Sequence, residues 1–272
     1  MNKKYWNIFI TGLLCVFFLA GCLNSDDKGA SKKPLREEKP EAPSSLKKII
    51  SDIDKINEEL MKKVKEEKEL KAKKKQEKES ANDEGGQDKK TKSEKFGSEM
   101  GLNKEKELLG RMYREWNMLE PELVKEGINK SERENFQKGL DELGKAVQEE
   151  SKADALLAGL KMYKHYADIS RFFAVPVPAD FYMVKYEALT AATLAENRDF
   201  DKARKHLPAM LEYWNMLKVQ KKQADAKLLN QVEFSLYDLK QVIENKEGML
   251  LVWKTEVVKG NFEQLEDSLS GM

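Results

Sequence analysis

The chain has little cysteine. Two of its 272 residues are cysteines, Cys15 and Cys22, and both lie within the first 22 positions. The rest of the chain has no thiol. It therefore lacks the groups needed for a disulfide framework, a Cys-based zinc site, an iron–sulfur site, a haem attachment or a cysteine nucleophile.

Histidine is equally scarce. The two histidines, His165 and His206, fall on different predicted helices, and neither belongs to a Glu-x-x-His motif. His206 lies close in sequence to Lys202, Arg204 and Lys205, whose positive charges disfavour a bound cation. We therefore predict no metal and no cofactor. A metal or haem held between helices by a histidine and a methionine is the alternative.

The sequence also lacks the common catalytic motifs. It contains no Gly-x-Ser-x-Gly, no His-Glu-x-x-His and no glycine-rich phosphate loop. Carboxylates are abundant, but on charged helix faces they usually serve only to solvate the surface. We therefore predict that the protein is not an enzyme.

Basic and acidic residues are nearly equal in number. The chain has 49 basic and 48 acidic residues, a formal net charge of +1. Removal of residues 1–21 would take away two lysines, leaving 47 basic and 48 acidic residues and a charge of −1. This balance does not favour a nucleic-acid partner.

Long apolar runs are absent except at the beginning. Lys3 and Lys4 precede an apolar run over 5–20, which is the layout of an export signal. The run is shorter than the roughly 20 apolar residues of a comfortable spanning helix. It closes on Leu19-Ala20-Gly21-Cys22, which resembles the lipobox of bacterial lipoproteins.

The lipobox resemblance covers only about the first 22 residues, and it implies three things. The signal is cut between Gly21 and Cys22, the Cys22 thiol carries lipid, and the protein is extracytoplasmic and anchored to the cell membrane. Several acyl chains of the palmitate kind give stable anchoring where one chain is marginal. An ordinary secretory signal or an uncleaved anchor is the alternative.

Composition divides the chain into five parts. After the signal (1–21), residues 22–44 contain three prolines and predict a flexible tether. Residues 45–79 carry apolar residues at spacings of three and four and predict a charged amphipathic helix. Residues 80–102 predict a linker with glycines, and residues 103–272 an α-helical bundle domain.

The lysine-rich run Lys62–Lys75 allows two interpretations. One is a contact with the cell wall or with anionic lipid. The other, which we favour, is a solvated helix in which glutamates such as Glu66, Glu67 and Glu69 alternate with the lysines.

The bundle is predicted to be all-α, with seven helices and no credible strand alternation. Pro121 is expected to end or kink the first helix, and Pro208 to shift the start of the fifth or bend it. The segment Val175–Pro178 is expected to be extended, because each proline removes a backbone donor.

Helix starts are predicted from capping residues. Ser131 with Glu134 resembles a capping box that opens the second helix of the bundle. Ser151 with Asp154 is a weaker signal for the third helix. Asp180 is the expected N-cap of the fourth.

Two local similarities bear on the arrangement of the helices. Residues 116–119 and 214–217 are both Trp-Asn-Met-Leu, and Phe136 and Phe234 stand twenty residues after each tryptophan, so a duplicated helical unit is possible. A chance match is the alternative. Residues 195–203 are similar to the inter-helix turn of tetratricopeptide repeats, but the rest of that pattern is missing, so we predict only helical hairpins.

These observations favour a non-enzymatic interaction or scaffold module held at the membrane by its N-terminal lipid. An envelope protein is a possible partner. The alternative is a ligand- or metal-binding lipoprotein that uses the interior of the bundle, with a hydrophobic pocket beside Val175–Pro178 as one candidate site.

Overall fold

The computed structural model describes residues 39–80, 101–220 and 225–271, and of residues 75–80 only the backbone. The described part is all-α, as predicted; it contains no strand, only a single bridge between Glu41 and Ala174. The helices are α1 (Ser44–Ser80), α2 (Asn103–Lys125), α3 (Lys130–Gln148), α4 (Lys152–Ser170), α5 (Ala179–Glu196), α6 (Phe200–Gln220), α7 (Ala226–Glu244) and α8 (Gly248–Ser270).

Helix α5 lies at the centre of the bundle. It contacts α4, α6, α7 and α8. Its residues are apolar or small on every side and almost all are buried, which is typical of a helix surrounded by other helices. Three charged residues on this helix, Asp180, Lys185 and Glu187, are therefore held inside the protein.

Helix α1 is part of the bundle. It packs against α2 and α4. Its aliphatic stripe is fully buried and consists of Leu46, Ile49, Ile53, Ile56 and Leu60. Periodicity predicts the apolar face of this helix (45–79) but not the helices that cover it, so the sequence alone does not join it to a bundle beginning at residue 103.

The residues just before α1 are also packed. The backbone N–H of Ala174 donates a hydrogen bond to the carbonyl of Pro40 at 2.8 Å. Ala42 is buried. The last residues of the predicted tether are thus bound to the junction between α4 and α5.

Neither proline interrupts its helix. Helix α2 continues through Pro121 to Lys125, so the expected end at this proline was wrong. Pro208 lies inside α6 and does not shift its start at Phe200. Pro121 and Asn117, whose carbonyl loses its usual donor, are both exposed, so water can solvate that carbonyl.

Helix α3 is capped by a residue other than the predicted one. Asn129 is the N-cap, and its side-chain oxygen accepts a hydrogen bond from the backbone N–H of Glu132 at 3.0 Å. Ser131 lies one residue inside the helix, so the predicted capping box with Glu134 was wrong. Asparagine is at least as good an N-cap as serine.

The predicted N-cap is correct for α4 and wrong for α5. Ser151 is the N-cap of α4, as predicted, but its hydroxyl donates to the Asp154 carboxylate at 2.5 Å and makes no cap to a backbone N–H. Pro178, not Asp180, is the N-cap of α5. Asp180 lies in the first turn, where its carboxylate accepts from Arg171 at 3.0 Å.

The two Trp-Asn-Met-Leu segments pack differently. Trp116 stacks on Phe136 with ring centroids 4.3 Å apart. The corresponding Trp214 is buried, whereas Phe234 is 70% exposed, so the stacking is not repeated. The sequence match therefore does not extend to this aromatic contact. The turn at 195–203 does connect a helical hairpin, α5 with α6.

Candidate functional site: a groove around Lys185

An open groove lies between α1, α4, α5 and α8 and has a cavity volume of about 680 Å³. Its border includes Val175–Val177, the segment beside which the sequence suggested a pocket. Small-molecule sites usually have volumes of roughly 300–1,000 Å³. The groove is therefore large enough for a small ligand.

Three charged side chains form what we call the charged cluster of the groove: Lys185 of α5, Asp54 of α1 and Glu266 of α8. The Lys185 ammonium donates to Asp54 Oδ1 at 2.6 Å and to Glu266 Oε2 at 2.9 Å. The Lys185 side chain is only 10% exposed. The cluster thus connects three helices that lie far apart in the sequence.

Two tyrosines orient the carboxylates of the charged cluster. The Tyr163 hydroxyl donates to Asp54 Oδ1 at 2.8 Å, and the Tyr182 hydroxyl donates to Glu266 Oε1 at 2.9 Å. The Lys185 ammonium also lies 4.8 Å from the centroid of the Tyr163 ring, within the range of a cation–π contact. These contacts hold both carboxylates in position without a ligand.

The electrostatics of the cluster keep Lys185 protonated. Burial by itself lowers the pKa of Lys185, but Tyr163, Asp54 and Glu266 face the ammonium and raise its pKa above the usual value. Burial raises the pKa of Glu266, against the opposing effect of Lys185. A lysine that stays protonated is a poor nucleophile, so the arrangement suits charge-based binding better than covalent chemistry.

The rest of the groove is mixed in character. Charged residues of both signs line it: Lys47, Lys55, Glu58, Lys259, Glu263 and Asp267. Apolar residues line it as well: Ile50, Met61, Val175, Val177, Leu189 and Phe262. The site is therefore amphipathic rather than the purely hydrophobic pocket that the sequence suggested.

No sequence motif points to the members of the charged cluster. They are separated by 131 and 81 positions along the chain. One local signal existed, since Lys185 is the only lysine or arginine of α5, the most apolar helix. A lysine inside such a helix needs a buried partner, but the sequence does not say which carboxylate supplies it.

The two histidines lie in separate places. His165 of α4 is buried against α3, and a Cβ at Gly139 would lie only 2.4 Å from its ring. Burial lowers the pKa of His165 to about 4, and the positive charges of Lys161 and Lys164 contribute to this decrease. His206 Nδ1 lies 2.6 Å from Glu187 Oε2. In the described ranges, no three His, Cys, Asp or Glu side chains are grouped to hold a metal.

The α7–α8 hairpin exposes an apolar surface, which we call the hairpin face. It is defined by the exposed residues Met249, Leu250, Trp253 and Val257 of α8, and Phe234 of α7 is exposed as well. Met249, Trp253 and Val257 are spaced by four residues and so lie on one side of α8. Exposed apolar patches of this kind often mark interaction surfaces.

Several side chains of the lysine-rich run are paired. Lys63 is buried and donates to Glu105 Oε2 at 2.7 Å, and Lys68 donates to Glu196 Oε2 at 3.2 Å. Both contacts connect α1 to other helices of the bundle. Buried Lys63 differs from the predicted solvated helix with alternating glutamates and lysines, whereas the i,i+4 pair of Lys71 with Glu67 fits it.

The lipobox lies outside the described residues, so cleavage between Gly21 and Cys22 and lipidation of Cys22 stay predictions. Of the helices that the structure describes, none combines the length and apolar character needed to cross a membrane.

Comparison with known proteins gives no family. No protein-family model, no curated protein and no solved structure matches the chain.

Proposed function

We propose that this chain is an extracytoplasmic lipoprotein, anchored through Cys22, whose helical bundle binds a small ligand in the groove without enzymatic activity. The observation that carries the proposal is the charged cluster inside an open cavity. Buried ion pairs often contribute less to stability than apolar residues of similar size. A preoriented charged cluster that borders a ligand-sized cavity therefore supports a role in binding.

The anchor is tested by intact mass and membrane fractionation of the wild type and a Cys22→Ala variant. We expect the wild type to be membrane-bound, to lack residues 1–21 and to carry acyl mass that the variant lacks. A wild type that is soluble and unmodified, or that keeps residues 1–21, would contradict the lipoprotein proposal.

Ligand binding in the groove is tested by blocking it. Ser51 borders the groove on α1, whereas Ser131 is exposed on α3 and is not part of the groove lining. We expect small organic ions in a thermal-shift panel to raise the Tm of the wild type and of Ser131→Trp, but not that of Ser51→Trp. A panel without effect on the wild type, or an equal effect on both variants, would count against groove binding.

A second candidate function is the scaffold role favoured by the sequence, with an envelope protein docked on the hairpin face. Its support is the exposure of Met249 (91%) and Trp253 (72%). A photo-crosslinking residue at position 253 should give a specific protein adduct in cells, and one at position 131 should not. Equal adducts at both positions would argue against this role.

A further inference from the structure

The charges of the cluster do not balance. Lys185 supplies one positive charge, whereas Asp54 and Glu266 supply two negative charges when ionised. The hydrogen bonds to Asp54 from Lys185 and Tyr163 both end on Oδ1. Among the described residues, no donor reaches Oδ2, and the Asp54 side chain is 33% exposed. With both carboxylates ionised, the charged cluster therefore presents an acceptor and one negative charge in excess of Lys185.

Aromatic side chains line the same cavity. Tyr163, Tyr166, Tyr182 and Phe262 border it. The faces of aromatic rings attract cations, and Lys185 already lies over the ring of Tyr163. The cavity thus combines a carboxylate with rings that favour positive charge, and apolar residues such as Val175 and Leu189 can contact a hydrocarbon stem.

The same geometry disfavours two other ligand classes. A carboxylate or phosphate ligand would meet Asp54 and Glu266, while the positive charge of Lys185 is already paired with both. A metal ion between the two carboxylates would have to displace the Lys185 ammonium, which occupies that position. Neither class gains from the charged cluster of the groove.

We infer that the groove binds an organic ammonium ion, with its charged head on Asp54 and its hydrocarbon part against the tyrosine rings and apolar wall. This inference rests on the proposed function of the groove and adds the chemical class of the ligand. A charge-assisted hydrogen bond from the ammonium to Asp54 Oδ2 supplies the selectivity.

The test uses three probes with the same stem and different heads: hexylammonium, hexanol and hexanoate. Binding to the full chain in neutral lipid nanodiscs is measured by calorimetry, with empty nanodiscs subtracted. We expect hexylammonium to bind at least about tenfold more tightly than the other two probes. Weaker or equal binding of hexylammonium overturns the inference.

Asp54→Asn should remove the preference for hexylammonium. Asp238→Asn, which removes an ion-paired aspartate on α7 away from the groove, should keep it. A preference that survives in Asp54→Asn overturns the inference. The wild-type comparison stands alone if Asp54→Asn does not fold.

The outcomes also separate this inference from the proposed function. Hexanol or hexanoate could bind the wild type as tightly as hexylammonium and lose binding in Ser51→Trp. That result overturns the inference of an ammonium ligand but keeps the proposal that the groove binds a ligand. If none of the three probes and no member of the wider panel binds, both the inference and the proposed function fail.

Discussion

At the scale of single residues, burial acts differently on two basic side chains, His165 and Lys185. Lys185 is faced by two carboxylates and keeps its charge. His165 is buried and has Lys161 and Lys164 nearby, and all three effects lower its pKa against a smaller opposing effect of Glu142. Its Nε2 has no hydrogen-bond partner among the described residues. His165 is therefore held neutral inside the bundle.

We expect acidification to destabilise the protein through His165. Its pKa in the folded protein is about 4, below the value of 6.5 for an unperturbed histidine. The stability that depends on the neutral ring is therefore complete above pH 6.5 and is lost as the pH falls from 6.5 towards 4. The free energy of unfolding changes by at most about 1.4 kcal/mol per pH unit for one such group.

Urea unfolding across this pH window checks the prediction. His165→Gln should reduce the loss of stability on acidification, because glutamine does not titrate. His206→Gln, at a more exposed histidine, is the matched control and should leave the His165 effect in place. An unchanged pH dependence in His165→Gln would show that other groups cause the loss.

At the scale of elements, α1 shows what a helix pattern can and cannot predict. Its apolar stripe from Leu46 to Val64 follows from the spacing of its aliphatic residues, whereas the helix itself continues to Ser80. Its incorporation in the bundle depends on α2 and α4, which supply the covering surface. The ion pair of Lys63 with fully buried Glu105 also joins α1 to α2.

We expect Leu60→Ala to destabilise the whole bundle by about 2–5 kcal/mol, the usual cost of removing a buried leucine side chain. Leu60 is fully buried, whereas Leu70, later in the same helix, is only half-buried. Leu70→Ala is therefore the matched control and should cost clearly less. Urea unfolding measures both variants, and equal small effects would mean that α1 is not part of the cooperative core.

At the scale of the whole molecule, the charged cluster joins the first, middle and last parts of the bundle. Asp54 belongs to α1, Lys185 to α5 and Glu266 to α8. The Tyr182 hydroxyl adds a second contact between α5 and α8. The groove therefore exists only when these distant segments are packed together.

We expect Lys185→Met to destabilise the protein by about 3–5 kcal/mol, because it leaves two partly buried carboxylates without a counter-ion. Adding Glu266→Gln should recover part of this loss by removing one of the two charges. Lys254→Met is the control, since its partner Asp238 is about half exposed, and such surface pairs contribute at most about 1 kcal/mol. A Lys185→Met cost no greater than that of Lys254→Met would contradict the structural role of the cluster.

Local sequence pattern determined the all-α class, the existence of the helices and the break at Val175–Pro178, because spacing, capping and proline stereochemistry act over a few residues. The same local pattern gave the wrong N-cap for α3, because Asn129, two residues before Ser131, can cap the helix equally well and does so in the structure. Only the tertiary structure decided that α1 joins the bundle and that Lys185 meets Asp54 and Glu266. These contacts join segments that are far apart in the sequence. They depend on which apolar faces pack against one another, and the spacing of neighbouring residues does not specify that.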